Sequence, residues 1–189
     1  MKPLNIAVVV GSIRQESYNR QFAEALVRLF PAEVKAHFVR IDDLPLYSQD
    51  SDAQPPVAPV ARLRQDIAAA DGVLFVTPEY NRSVPAVLKN ALDVGSRPYG
   101  RSVWAGKPGA VISVSTGAIG GFGAHHHLRQ ILVSLNVPTM PQPEAYIGGA
   151  ENLFDSRGRP VDEATRRFLV TFMEAFAVWV GKHTRPRTA

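Results

Sequence analysis

A doubly wound α/β fold, a five-stranded parallel sheet with helices on both faces, is what this 189-residue chain predicts. Three observations carry that reading. Short continuous apolar runs, such as residues 6–10, suit strands buried on both sides. Apolar stripes at helical spacing alternate with these runs, which is the pattern that builds a parallel sheet. Finally, loops holding Gly, Ser and Asn follow three of the strands, at the carboxyl ends where such sheets bind ligands.

The first strand covers residues 6–10. The first helix runs from about 19 to 30, with Phe22, Ala25, Leu26, Leu29 and Phe30 on one face, and Pro31 stops it. A second strand at about 34–41 leads into a connection rich in Asp and Pro, long enough to be functional or partly mobile. The second helix carries Val60, Leu63, Ile67 and Ala70, and Asp71-Gly72 turns into a third strand at 73–77. A third helix near 86–94 buries Val87, Leu88, Ala91 and Leu92, and the fourth strand is 110–114. The fourth helix spans about 125–135, with Leu128, Ile131, Leu132 and Leu135 inward, and a fifth strand falls between 137 and 147, among three prolines. A turn at 155–158 precedes a last helix with Asp162 at its N-cap and Phe168, Leu169, Phe172, Phe176 and Trp179 as a core-facing stripe. Five strands and five helices match the flavodoxin-like variant of the doubly wound sheet.

The length suits one domain over residues 1–183 followed by a basic tail at 184–189. With 46% apolar and 20% charged residues the composition is that of an ordinary globular protein. The absence of cysteine removes disulfides, thiolate nucleophiles, iron–sulfur clusters and cysteine-based zinc sites, so redox chemistry here requires a bound organic cofactor or a metal held by His, Asp or Glu. A net charge of +4 could suit anionic ligands, yet part of it sits in the tail from Lys182 to Arg187, and no basic face with interleaved aromatics appears. No nucleic-acid partner is expected. The initial apolar run is too short for a signal peptide, and no run approaches the roughly 18 residues of a membrane span. The expectation is a cytoplasmic protein without a membrane partner.

Three loops carry the chemistry. The first, residues 11–19, gathers Ser12, Arg14, Ser17 and Asn19 at a helix start, where oriented N–H groups and a guanidinium suit a phosphate. It is neither a dinucleotide fingerprint nor a nucleotide-triphosphatase loop, which leaves a phosphomonoester. Capping of the helix would occupy only one of these residues. The second loop, residues 77–85, is stiffened by Pro78 and Pro85 and offers Glu79, Tyr80 and Asn81, as a planar heterocycle with polar edges requires. Glu79 is set aside as a general base, since loop glutamates are ordinarily solvated. The third loop, residues 115–123, has four glycines in its last seven residues, which permit close approach of the main chain to a ligand. His125-His126-His127 cannot converge on one ion, because successive helical residues project about 100° apart. They read as surface or interface histidines. No hydrolytic motif stands out, and the residues point to a protein that supplies binding while a cofactor supplies reactivity.

The chain resembles the NADPH-dependent FMN reductases, in their quinone and chromate reductase branch. The resemblance rests on Gly11-Ser12-Ile13-Arg14 with Ser17 and Asn19, on Thr77-Pro78-Glu79-Tyr80-Asn81 with Ser83-Val84-Pro85, on Leu88-Lys89-Asn90-Ala91-Leu92-Asp93, on Ala105-Gly106-Lys107-Pro108, on Gly120-Gly121 and on the run from His127 to Leu132. Members commonly carry Gly and Trp where this chain has Ala86 and Val94. The resemblance implies that Ser12, Arg14, Ser17 and Asn19 hold the FMN phosphate. It implies that Pro78, Glu79, Tyr80 and Asn81 line the flavin ring, and that Ser115 and Gly117 approach the ribityl chain or ring edge. It also implies a two-step oxidoreductase in which NADPH or NADH reduces FMN and a quinone, azo, nitro or chromate acceptor takes the electrons, with no catalytic acid, base or metal. A homodimer or homotetramer is implied as well. The alternatives are a flavodoxin-type electron carrier without its own NAD(P)H oxidation, and a reductase that releases reduced flavin.

Overall fold

The computed structural model describes residues 3–155 and 160–184. Its five strands are β1 (Leu4–Val10), β2 (Val34–Val39), β3 (Gly72–Thr77), β4 (Gly109–Val114) and β5 (Ala145–Ile147), interleaved with α1 (Tyr18–Val27), α2 (Ala58–Ala69), α3 (Ala86–Gly95), α4 (Phe122–Ser134) and α5 (Glu163–His183). The sheet has the order β2-β1-β3-β4-β5 and every pairing is parallel. This is the flavodoxin-like order. The chain builds outward from β1 first to β2 and then to β3, so a crevice opens at the carboxyl ends of β1 and β3.

The continuous apolar runs divide between two cores because successive side chains leave a strand on opposite faces. Ile6, Val8 and Val10 of β1 join Leu74, Val76, Ile112 and Val114 under α1 and α5, where Phe22, Leu26, Leu169, Phe172 and Phe176 are buried. Ala7 and Val9 join Val73, Phe75 and Val111 under α2, α3 and α4, with Leu63, Ile67, Leu92, Leu128 and Trp104. Burying each large apolar side chain contributes roughly 1.5–3 kcal/mol, so both faces are needed to hold a sheet this hydrophobic.

Several boundaries differ from the sequence reading. Helix α1 ends at Val27 rather than at Pro31, and its last turn tightens through Leu29 N–H donating to Leu26 O at 2.8 Å. Strand β2 stops at Val39, although Ile41 stays buried. Helix α4 begins three residues earlier than expected, at Phe122, because Gly121 takes the left-handed conformation (φ 76°) at the cap position. Strand β5 is cut to three residues behind the cis Gln142–Pro143 bond. Asp162 caps α5 as expected, accepting from Thr165 N at 2.6 Å. The long connection after β2 is clasped to α3. The Asn90 side chain accepts from Tyr47 N at 2.9 Å and donates to Pro45 O at 2.9 Å. Ser156 to Gly158 of the expected turn at 155–158, and the tail beyond Thr184, lie outside the described residues.

Candidate functional site

At the tip of β1 the chain turns at Gly11 into the first loop, and Ser17 ends that loop as the N-cap of α1. Its Oγ accepts from Arg20 N at 3.3 Å, which leaves the hydroxyl proton available to an outside acceptor. Asn19 lies two residues further along, in the first turn of α1, and is only 5% exposed. Its Nδ2 donates to Val114 O at 3.1 Å and so ties α1 to the end of β4, while its buried Oδ1 has no protein partner. Arg14 is exposed, with its guanidinium 5.2 Å from the centre of the Tyr18 ring.

The second loop leaves β3 at Thr77, fully buried, whose Oγ1 donates to Pro78 O at 2.9 Å. Tyr80 and Ser83 exchange two backbone hydrogen bonds at 3.0 Å across a two-residue turn. Asn81 (φ 51°) and Arg82 (φ 65°) form that turn in the left-handed region, which Asn tolerates and Arg adopts only where neighbours hold it. The neighbour is Glu79. Its carboxylate lies 3.6 Å from Arg82 Nη1 and accepts from Ala124 N, in the first turn of α4, at 3.0 Å. The expectation of a merely solvated glutamate is therefore corrected, since the side chain is 15% exposed and fastens the second loop to the helix that follows the third.

In the third loop Ser115 N donates to Ile147 O at 2.9 Å, and Ser115 Oγ accepts from Gly117 N at 3.1 Å. Gly120 (φ 66°) is irreplaceable on two counts, because a Cβ there would also lie 2.6 Å from the carbonyl carbon of Tyr146.

A cleft of about 170 Å³ forms where these loops meet. It is lined by Ser12, Arg14, Ser17, Asn19, Pro78, Glu79, Tyr80 and Ser115, and so brings together most of the residues singled out in the sequence. Asn81 and Gly117 lie on the same loops but not in its wall. The wall adds Tyr18, Val114, Thr116 and Ala150, which the sequence reading did not single out as site residues. Tyr18 was readable beside Ser17, whereas Ala150 reaches the site only because its N–H donates to Ser115 O, 3.1 Å away across the fold.

The histidine run also needs correction. His125 is neither a surface nor an interface residue but fully buried, edge-on to Tyr146 with ring centres 4.5 Å apart, and neither ring nitrogen has a protein partner. Burial, reinforced by Arg129 and His126, pushes its pKa down to about 4. His126 Nε2 meets Tyr146 Oη at 3.2 Å and His127 Nδ1 meets Ser83 Oγ at 3.0 Å, so the three rings diverge. Among the described residues no three His, Cys, Asp or Glu side chains gather as a metal site.

Comparison with known proteins adds three findings. The profile of the NADPH-dependent FMN reductase family matches residues 4–152. A quinone reductase of Pseudomonas putida is 58% identical over 176 residues, covering 93% of this chain and 94% of the relative, and a 2-hydroxy-1,4-benzoquinone reductase of a Burkholderia species is 55% identical over 178 residues, covering 94% and 96%. Among solved structures, FerB of Paracoccus denitrificans, a flavoenzyme NAD(P)H:(acceptor) oxidoreductase, superposes with a TM-score of 0.91 at 41% identity, covering 96% of this chain and all of that one.

Proposed function

Because this chain belongs to the NADPH-dependent FMN reductase family, we propose that the cleft between the three loops is its FMN site and that the enzyme passes electrons from NAD(P)H to a quinone. The chain is an oxidoreductase that uses FMN and NAD(P)H and acts on small-molecule acceptors. Its relatives are reductases, which favours the enzyme over the electron carrier.

The observation that carries the placement is the convergence of the first and second loops with Ser115 on one cleft at the start of α1. Asn19 lines that cleft and ties α1 to the end of β4 through Val114 O. Ser12, Arg14 and the free Ser17 proton supply the donors that a phosphate takes. The Ser115 hydroxyl, whose Oγ accepts from Gly117 N–H, keeps its proton for a ribityl oxygen.

When bound, FMN supplies the redox step, taking an electron pair from the nicotinamide and yielding it to the acceptor. The protein's own residues bind and orient. Arg14 offers a charge-assisted fork to the phosphate. The rigid Pro78–Asn81 segment, held by Glu79 on α4, fixes one wall of the ring pocket, and Tyr80, 53% exposed, stands at its mouth. No side chain is assigned a proton-transfer role, and the pocket accommodates azo, nitro or chromate acceptors on the same terms as quinones. We place the activity in the cytoplasm, where NAD(P)H is regenerated.

Flavin-stripped protein titrated with FMN, followed by NADPH oxidation with added benzoquinone, tests the reading. The expected result is quenching of flavin fluorescence, quinone-dependent oxidation, and an affinity for FMN that falls about tenfold to a hundredfold in Arg14→Ala, in line with roughly 1.5–3 kcal/mol for a hydrogen bond to a charged group. Unchanged affinity in Arg14→Ala removes the phosphate from this loop.

A further inference from the structure

A second cleft, of about 430 Å³, opens on the far side of the first loop and shares Ser12 and Arg14 with the flavin cleft. It lies beyond the end of β2, bounded by Arg20, Phe38, Arg40 and Asp42, and its size falls within the roughly 300–1,000 Å³ of small-ligand pockets. The side chains lining it are organised. The Arg20 guanidinium sits 3.8 Å above the centre of the Phe38 ring and is held from the side by Glu24, with Nε 2.7 Å from Oε1. Its position is fixed by two contacts, leaving a flat cationic platform on which a purine stacks. Just past the end of β2, Arg40 grips Asp42 through Nε to Oδ1 at 2.7 Å and Nη2 to Oδ2 at 3.4 Å. That grip holds the carboxyl below its usual range, ionised and able to accept from neutral hydroxyls. In the dinucleotide-binding variant of the doubly wound sheet, whose glycine fingerprint this chain lacks, a carboxylate in this part of the sequence accepts from ribose hydroxyls, and Asp42 offers the same chemistry here.

We propose that this cleft is an adenylate subsite, so that the chain accommodates FAD as well as FMN: with the flavin phosphate at Ser12 and Arg14, a pyrophosphate continues past the loop, the adenosine ribose reaches Asp42, and the adenine stacks on Arg20. The inference rests on the FMN placement above. It gives Arg14 a position between two phosphates, which explains why one exposed guanidinium borders both clefts.

The test is fluorescence titration of flavin-stripped protein with FMN and with FAD, using adenosine 5′-phosphate as competitor. The expected result is an FAD affinity within about tenfold of that for FMN, competition by adenosine 5′-phosphate against FAD alone, and a loss of about tenfold in FAD affinity in Arg20→Ala and in Asp42→Ala with FMN affinity unchanged. FAD affinity more than about a hundredfold below that of FMN, or equal in the variants and the parent, overturns the adenylate subsite and leaves the FMN reading standing. A rise in the KM for NADPH in the two variants, with FAD affinity unmoved, assigns the cleft to the nicotinamide cosubstrate and also overturns the proposal. If the unsubstituted protein binds neither flavin, both readings fall.

Discussion

His125 shows how far a single side chain can depart from its neighbours in sequence. Its pKa of about 4, against an ordinary 6.5, means that between those values the unfolded chain takes up a proton that the folded one refuses. Stability is therefore complete above pH 6.5 and declines as the pH falls towards 4, by up to about 3 kcal/mol from this residue. His125→Leu keeps a side chain of similar size and cannot titrate, so its urea midpoint should fall less than the parent's between pH 7 and 4. Parallel declines would assign the acid sensitivity elsewhere. Arg129 and His126 deepen the effect and Glu144 opposes it. Glu144 also forms a hydrogen bond with Tyr146, whose pKa burial raises to about 12, so the buried imidazole faces a phenol that stays protonated throughout this range. None of this was visible in a run of three identical residues, because which ring turns inward depends on where α4 starts, and that depends on the left-handed Gly121.

At the level of elements, Glu79 joins the second loop to the start of α4, 45 residues further along the chain. Helix starts leave their first N–H groups without intrahelical partners, and a carboxylate there is favoured by both hydrogen bonding and the helix dipole. The side chain caps α4 from outside the helix, a role that no local pattern around residue 79 reveals. Glu79→Ala should cost about 1 kcal/mol, the usual loss on removing a helix cap, and lower the melting temperature by roughly 2–4 °C. Flavin affinity should fall with it, because the second loop loses its carboxylate tie to the start of α4 and keeps the weaker contact of Ser83 Oγ with His127 Nδ1. Glu79→Gln retains an acceptor and should recover most of both. Calorimetry and FMN titration of the two variants check this, and an alanine variant with unaltered melting and affinity would show the tie to be dispensable. Strands β1, β3 and β4, by contrast, were legible to within two residues, because a short continuous apolar run suits a strand buried on both faces of a parallel sheet. Strand β5 was not, because prolines at 138, 141 and 143 hide its start and only Ala145 to Ile147 pair with β4.

For the molecule as a whole, the third loop presents two large apolar side chains outward, Ile119 and Phe122 at 62% and 48% exposure, and Phe122 packs against His126 and Tyr146 at ring distances of 4.2 and 5.2 Å. A second copy covering this surface is the arrangement we propose, as a homodimer or homotetramer. Light scattering after size exclusion should give a mass of at least twice 20.6 kDa, shifted towards the monomer in Phe122→Glu; a monomeric parent would contradict it. The three loops that meet in the first cleft were readable because loops after neighbouring parallel strands lie together at one end of the sheet, while the second cleft was not, since Arg20, Phe38 and Asp42 come from a helix, a strand and a loop with no shared motif. One last property follows from the Asn90 clasp. By gripping Pro45 and Tyr47 it divides the passage from β2 to α2 into two shorter closures, and loop entropy grows only slowly with length. The outer half, past Ser48, is thus set apart from the sheet: residues can be added or removed there while the end of β2 keeps its shape.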